Sequence, residues 1–294
     1  YIIKDRRLTA NLSIKRINTE TIEIPGVGYY YKLKVDDGLL EDIDLNNYLC
    51  RLEIENVMSK VKPEWSAMEE LKYFHDYVCS RTTYIKDTEN CYSITGVFVD
   101  GVATCQGYSK SFDLLCEYAG YTAVEISGYS KNQAHMWSSV CVDNEWYTFD
   151  LTWDDTVLKN TSVAEEACSY IYFGLPEEVM NRTHRPRKVY KTWLPEGTQE
   201  KDMWVGYMEN RILDANLVSD SDLVGWIASR LATEYKKGNY HIEIMDIGDN
   251  NLPKRVKKLM PWICKTLNYS GYNVSNNYEV TTFTEVTVIE VEGI

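Results

Sequence analysis

The sequence has no apolar stretch long enough to cross a bilayer and no cluster of basic residues. A membrane-spanning helix needs about 20 consecutive apolar residues, and no such run occurs in the 294 residues. Nucleic-acid binding requires a basic surface, whereas the net charge of this chain is -13. We therefore expect neither a membrane-spanning segment nor a nucleic-acid partner, and we interpret the acidity as a solvated surface.

Paired cysteine motifs are also missing. The eight cysteines form no CxxC pair, and none lies at metal-ligand spacing from the four histidines. This scatter argues against a zinc site and against thioredoxin-like redox chemistry, so we expect no metal and no cofactor. It is typical of free thiols in a core rather than of a disulfide framework, although the even number of cysteines leaves bridges open.

What the sequence does contain is enough apolar material for a large core. Its hydrophobic content is 44% and its aromatic content is 13%, which is typical of a globular protein. Changes of pattern along the chain predict an N-terminal extension of strands plus a helix (1–60), a core (61–190) and a C-terminal αβ module (191–294). That module reads as helix, strand, helix and one last strand over 278–291, with a kink at Pro261.

One cysteine stands directly in front of a helical pattern, in the stretch GVATCQGYSKSFDLLCEYAG. Thr104 is a plausible N-cap, which makes Cys105 the first helical residue, and Gly120 suits the left-handed end of the helix. A thiol in that place is either a small buried hydrophobe or a nucleophile whose anion the positive helix end stabilises. The thiolate is the reactive form, and a free thiol is only slightly ionised at neutral pH.

A histidine and an aspartate follow on a predicted hairpin. The segments AHMWSSVCV and EWYTFDLTW read as two strands joined at Asp143-Asn144, a pair that tolerates the positive φ of a two-residue turn. That register places His135 and Asp150 on one face, and a slip of one residue would separate them. A carboxylate beside a histidine fixes its tautomer and stabilises its charged form.

Four further residues are candidates for the substrate groove. Trp137, beside the histidine, is interpreted either as a wall of the groove or as a core residue. Tyr84 and Tyr92 are candidate oxyanion donors alongside the backbone N–H of Cys105, and Gln106 is a groove candidate next to the thiol.

Three segments resemble the core blocks of the transglutaminase-like superfamily: GVATCQGYSKSFDLL, AHMWSSV and WYTFDLTWDD. The resemblance extends over about residues 50–190, and all three blocks occur in order. It implies an α+β fold with a papain-like or transglutaminase-like core, in which a helix bearing the Cys packs on an antiparallel sheet bearing the His and the Asp. Carried over residue by residue, it implies Cys105 as nucleophile, His135 as base and acid, and Asp150 as the orienting carboxylate. Met136 departs from the family pattern, which usually has a smaller residue there.

The implied reaction is acyl transfer on peptide or glutamine-type amides, with a protein or peptide as the substrate. Passing the thioester to water makes a protease or deamidase, and passing it to an amine makes a crosslinking enzyme. Resemblance to bacterial members favours hydrolysis. The alternative is a catalytically silent module that keeps this fold as a binding or surface scaffold.

The sequence begins at Tyr1, with neither an initiator Met nor a charged-then-apolar leader. We expect that an export signal has been removed, and we predict an extracellular or cell-surface location in a bacterium. No pattern in the sequence indicates the oligomeric state.

Overall fold

The fold mixes helices with mainly antiparallel sheets. The structure is a computed structural model that describes residues 17–24, 28–35, 37–157, 168–188, 211–248, 251–283 and 285–293. Its described residues fall into two compact units, which we treat separately. The first is drawn from Tyr1–Ile126 and His135–Val140, and the second from Ser127–Ala134 and Cys141–Ile294. The α+β class predicted from the sequence is confirmed.

The early part of the chain consists of a strand pair followed by helices. In chain order the elements are β1 (Ile17–Ile24), β2 (Gly28–Val35), α1 (Asp37–Met58), α2 (Ala67–Arg81), β3 (Thr83–Tyr84), β4 (Val102–Ala103) and α3 (Cys105–Tyr118). Strands β1 and β2 pair antiparallel, whereas β3 and β4 pair parallel. A five-residue π-helical turn, Gly96–Asp100, precedes β4. The spacing of Leu49, Leu52 and Val57 predicts a helix from residue 47 onward. That helix is present, but it begins ten residues earlier, at Asp37.

Ser66 and Glu69 lie three residues apart, the spacing that predicts a capping box, and the start of α2 has one. The Ser66 hydroxyl accepts a hydrogen bond from the backbone N–H of Glu69, and the Glu69 carboxylate accepts one from the backbone N–H of Ser66. These bonds from Ser66 lower the pKa of the Glu69 carboxyl. Further along the helix, His75 is buried, and its Nε2 lies 3.8 Å from the Sγ of Cys79. His75 is therefore a core residue, as its place in the apolar stripe of Leu71, Phe74 and Val78 predicts.

Four strands of one sheet follow α3, and tight turns join the first three of them. They are β5 (Thr122–Ser130), β6 (Gln133–Val142), β7 (Glu145–Phe149) and β8 (His184–Pro186), and their order in the sheet is β7-β6-β5-β8. Asp143 and Asn144 have φ values of 52° and 66°, so the predicted two-residue turn is confirmed. Gly120, at φ 97°, likewise has the left-handed conformation predicted after α3.

The second unit contains the later helices and a four-stranded sheet. Its further elements are α4 (Leu151–Val157), α5 (Glu177–Met180), β9 (Ile212–Leu213), α6 (Asp220–Tyr235), β10 (His241–Asp246), α7 (Leu252–Tyr269), β11 (Val274–Phe283) and β12 (Val286–Gly293). The sheet order is β11-β12-β10-β9. The single strand predicted over 278–291 is wrong in one respect, because the chain reverses after Phe283 and forms an antiparallel pair of strands.

Apolar faces of α6 and α7 form the core of this unit. Leu223, Ile227, Val256 and Ile263 are fully buried in one cluster that also includes Ile289 of β12. Pro261 lies inside α7, as its position in the sequence predicts.

A buried carboxylate ties the segment after residue 168 to strand β10. Ser169 donates its hydroxyl proton to Glu243, and His241 Nε2 lies 3.6 Å from the other carboxylate oxygen. Arg230 donates to the backbone carbonyl of Glu243 at 3.1 Å. Burial opposes ionisation of Glu243, but its neighbours outweigh burial and lower the pKa of its carboxyl.

No described helix is both long and apolar enough to pass through a bilayer. The domain boundaries predicted at residues 60 and 190 remain predictions, and the segment 189–210 lies outside the described residues.

Asp113, in the middle of α3, generates a prediction about stability and pH. It is buried, and burial raises the pKa of its carboxyl well above the ordinary value, outweighing the opposite effect of the neighbouring Ser138 hydroxyl. Above about pH 4 an unfolded chain releases this proton while the folded protein keeps it, so the free energy of unfolding falls as the pH rises. We expect Asp113→Asn to raise that free energy by about 1–2 kcal/mol at pH 7 and to give no gain near pH 3.

Chemical denaturation of the parent and of Asp113→Asn at both pH values measures this effect. Asp143→Asn, at an exposed turn position, is the matched control and should show no such pH dependence. A gain from Asp113→Asn that is equal at pH 3 and pH 7 would contradict the assignment.

Candidate active site

The chain leading into α3 is fixed by backbone hydrogen bonds. In the parallel pair of β3 and β4, Tyr84 lies opposite Ala103, and the backbone N–H of Ile85 donates to the carbonyl of Ala103 at 3.0 Å. The next residue, Thr104, donates both its backbone N–H (2.8 Å) and its hydroxyl (3.1 Å) to the carbonyl of Cys91. The residue before Cys105 is therefore held by two hydrogen bonds to the same carbonyl oxygen.

Cys105 is the first residue of α3, as predicted, and Thr104 is the N-cap. Thr104 has the extended conformation of an N-cap (φ -94°, ψ 177°), but its side chain makes no capping bond. The first backbone N–H groups of a helix have no partner within the helix. Because the Thr104 hydroxyl is turned toward Cys91, the first turn of α3 keeps these N–H groups beside the thiol, where they favour negative charge.

Gly107 explains how this first turn packs so closely. A Cβ atom added there would lie 2.7 Å from the Cβ of Ala103 and 2.9 Å from the carbonyl oxygen of Cys91. Two residues after the cysteine, only glycine therefore fits without a shift of the neighbouring backbone. One residue further, Tyr108 is fully buried and donates its hydroxyl to the carbonyl of Thr82 at 2.9 Å.

Cys105 is distinct among the described thiols in its combination of exposure and position. Cys105, Cys141 and Cys168 are partly exposed, and the others are buried: Cys50, Cys79, Cys91, Cys116 and Cys264. Burial raises the pKa of Cys116, on the same helix, well above its ordinary value. Only Cys105 joins partial exposure to the first turn of a helix.

Two of the groove candidates from the sequence flank this region. The Tyr84 ring lies 6.5 Å from that of Tyr108, so Tyr84 packs on the helix that begins at Cys105. Tyr92 is 39% exposed. Desolvation is the largest cause that raises the pKa of its hydroxyl; Cys91 and Asp87 raise it further, and the thiol of Cys105 does so more weakly. Tyr92 is therefore close enough to the thiol to interact with it electrostatically.

The other two candidates are partly or fully buried. Gln106 is partly buried in the first turn of α3. Trp137 is 2% exposed. Of its two interpretations, core residue or wall of the groove, this burial favours the core residue. Its ring stacks on that of His135, with the ring centroids 6.2 Å apart and the planes 22° from parallel. This contact fixes the plane of the His135 imidazole, on strand β6.

Asp150 lies just beyond its predicted strand. The prediction that a strand continues from Glu145 through Trp153 is wrong, because β7 ends at Phe149 and α4 begins at Leu151. Asp150 is the residue between them, and its Oδ1 accepts a hydrogen bond from the backbone N–H of Trp153 at 3.1 Å. The carboxylate thus caps the helix, which holds it in one orientation.

The second oxygen of Asp150 binds a histidine that is not among the site residues predicted from the sequence. The Oδ2 of Asp150 lies 2.8 Å from the Nε2 of His184, and both side chains are almost completely buried. The Nδ1 of His184 lies 2.7 Å from the hydroxyl of Thr183. Because a carboxylate only accepts, the ring donates from Nε2 to Asp150. This hydrogen bond therefore holds the second oxygen of the Asp150 carboxylate in place.

Both members of the pair are residue types that bind metal ions. The distance between Oδ2 of Asp150 and Nε2 of His184 is that of a direct hydrogen bond. We therefore describe Asp150 and His184 as a hydrogen-bonded pair within the second unit.

Only a weak signal pointed to His184 in the sequence. It ends the segment SYIYFGLPEEVMNRTH, which follows the three family-like blocks. It lies 34 residues from Asp150, and no periodicity connects positions so far apart. Cys105 and His135 belong to the first unit and Asp150 to the second, so the meeting of these three residues stays a prediction.

Comparison with known proteins finds similarity in the part of the chain that contains Cys105, His135 and Asp150. Residues 55–151 match the family model described as transglutaminase-like superfamily. Mouse (Mus musculus) kyphoscoliosis peptidase is 22% identical over 125 residues, which cover 37% of this chain and 19% of the mouse protein. The match thus spans about a fifth of that relative.

Solved structures give weaker similarities. A TGase is 20% identical with a TM-score of 0.31, over 45% of this chain and 43% of that one. A candidate cysteine protease from Cytophaga hutchinsonii is 13% identical with a TM-score of 0.31, over 46% of this chain and 62% of that one. The matched residues 55–151 contain Cys105, His135 and Asp150, and this part of the chain is similar to the transglutaminase-like superfamily.

Proposed function

We propose that this protein catalyses thiol-dependent acyl transfer on peptide or glutamine-type amides, with Cys105 as the nucleophile. His135 is the base and acid of the proposal, and Asp150 orients the histidine. The match of residues 55–151 to the transglutaminase-like superfamily supports a thiol-dependent enzyme. The observation that carries the finer assignment is the position of Cys105, partly exposed at the first turn of α3, whose capping hydroxyl is turned away.

The proposed chemistry has two halves. The Cys105 thiolate attacks the amide carbonyl, and the resulting oxyanion is stabilised by backbone N–H groups at the start of α3. The C–N bond then breaks, while the His135 imidazolium gives its proton to the leaving amine. In the second half water attacks the thioester, His135 takes the proton from the water, and the thiolate leaves. With an amine in place of water the product is a new amide.

The surroundings of Asp150 support its role as the orienting carboxylate. A carboxylate has about four acceptor positions, so the bonds from Trp153 and His184 are compatible with a further donor such as the His135 ring. A carboxylate held from two sides loses little conformational freedom when it orients a third group. Burial also strengthens its interaction with an imidazolium.

Hydrolysis is the preferred outcome of the proposal, because the sequence resembles bacterial members of the superfamily. A cell-surface location in a bacterium belongs to the same proposal. A silent scaffold is the alternative, and the thiol chemistry below distinguishes the two.

Alkylation by iodoacetamide at pH 6 tests the nucleophile. Only a stabilised thiolate reacts quickly at that pH, so we expect Cys105 to be labelled at least about tenfold faster than any other thiol. Peptide mapping by mass spectrometry measures each rate. Cys105→Ala should abolish both the fast labelling and the release of amine from peptide-amide substrates.

Cys141→Ala is the matched control, because Cys141 is also partly exposed but lies in strand β6. It should leave fast labelling and amine release unchanged. Eight thiols of similar, slow reactivity would contradict the proposal and favour the scaffold.

Substitution of His184 tests whether it positions Asp150. His184→Ala leaves a buried carboxylate without its main donor, which we expect to cost about 3 kcal/mol in the free energy of unfolding. His184→Gln keeps an N–H donor at a similar distance and should lose about 1 kcal/mol. Denaturation curves and amine-release rates measure both effects, and His184→Gln should retain clearly more activity than His184→Ala.

Asn181→Ala is the control for this substitution, since Asn181 is exposed near the same segment. Equal losses of activity in His184→Ala and His184→Gln, at temperatures where both are folded, would show that the donor to Asp150 is irrelevant.

A further inference from the structure

The second unit contains a cleft of about 450 Å³ that the proposed reaction does not use. Its volume lies within the usual range of small-molecule sites. Strand β8 and the turn between β5 and β6 contribute to its lining, and so does His184. The cleft is therefore built on the segment that binds Asp150.

The charge of the cleft is opposite to that of the whole protein. Lys131, Arg182 and Arg185 line it, with Glu285 as its single carboxylate, although the chain has a net charge of -13. Among the residues that the structure describes, none of these three cations is in an ion pair with a carboxylate. Three cations without acidic partners, in one cleft of an acidic protein, favour an anionic ligand.

Aromatic rings hold two of these cations in place. The Nζ of Lys131 lies 4.8 Å from the centroid of the Phe283 ring and 5.7 Å from that of Trp153. The guanidinium of Arg185 lies 5.4 Å from the Tyr129 ring, opposite which it pairs in the sheet. Cation–π contacts of this kind keep the charge oriented without neutralising it.

The backbone conformation of Lys131 is one that lysine rarely adopts. Lys131 has a φ of 49° and is the first residue of the two-residue turn between β5 and β6. Such turns favour Gly, Asn or Asp, because other side chains are strained at positive φ. A lysine in this place contradicts the local rule, and such departures concentrate at functional sites.

A buried acceptor completes the pattern. The Oε2 of Glu285 is buried and has no hydrogen-bond partner among the described residues. Buried carboxylate oxygens are normally satisfied by a donor. A ligand for this cleft therefore needs both a negative group for the three cations and an N–H group for Glu285.

We propose that the cleft binds a carboxylate-bearing peptide segment. Its carboxylate pairs with Lys131, Arg182 and Arg185, and one of its N–H groups donates to Glu285. A peptide provides both groups at short spacing. Inorganic phosphate at neutral pH carries more negative charge than a single carboxylate, which is unfavourable beside Glu285, so we expect it to bind less tightly than the peptide. This binding does not depend on the reactivity of Cys105, and the two proposals are therefore tested separately.

Binding to the Cys105→Ala protein, which cannot turn the peptides over, tests the proposal by calorimetric titration. The probes are acetyl-Ala-Glu-Ala-amide, acetyl-Ala-Gln-Ala with a free carboxyl terminus, and acetyl-Ala-Gln-Ala-amide. We expect one or both carboxylate peptides to bind at least about tenfold more tightly than the neutral one. The stronger of the two identifies the carboxylate as a side chain or a chain end.

Lys131→Asn and Arg185→Gln should each weaken binding of that peptide about tenfold. Asparagine accommodates positive φ, so Lys131→Asn keeps the turn intact, and its thermal unfolding should match that of the parent. Lys265→Gln and Arg187→Gln are matched controls. Lys265 lies over Trp262 and Tyr269, Arg187 lies over Tyr129, and neither lines the cleft.

Three results would overturn the proposal. They are equal affinity for the charged and neutral peptides, equal weakening by the control variants, or tighter binding of inorganic phosphate than of either carboxylate peptide.

Discussion

The carbonyl oxygen of Cys91 is the anchor on which the proposed active site depends. It accepts both the backbone N–H and the hydroxyl of Thr104. This arrangement fixes where α3 begins and leaves its first N–H groups without a side-chain cap. Gly107 permits the close packing that brings the Cys91 carbonyl against the same turn. The thiol of Cys105 thus lies at the positive end of a helix that has neither a side-chain cap nor an acidic residue in its first turn.

The second unit provides a comparably rigid carboxylate. Asp150 caps α4 with one oxygen and binds His184 with the other. A buried carboxylate is unfavourable unless it is paired and hydrogen-bonded, and these two bonds of Asp150 satisfy that requirement. His184 connects this carboxylate to the cationic cleft, because the same ring lines the cleft. A peptide carboxylate bound there would lie beside the segment that positions Asp150.

Sequence rules predicted the features that local chemistry determines. The capping box at Ser66, the start of α3 at Cys105 and the turn at Asp143 each depend on residues within a few positions of one another. Features that depend on distant contacts were not predictable. His184 meets Asp150 across 34 positions, and nothing in its spacing marks it. The end of β7 was missed because the apolar alternation continues through Leu151 and Trp153, and the reversal after Phe283 was missed because its turn contains no Gly, Pro, Asn or Asp.

The central claim is that Cys105 forms a covalent acyl intermediate, and trapping that intermediate tests it most directly. The parent protein is mixed with a peptide-amide substrate, quenched in acid within the first turnovers and analysed by peptide mapping. The account predicts the mass of the acyl group on the peptide that contains Cys105, and neither adduct nor released amine with Cys105→Ala. Amine release without an adduct on Cys105, or release that survives Cys105→Ala, would contradict it.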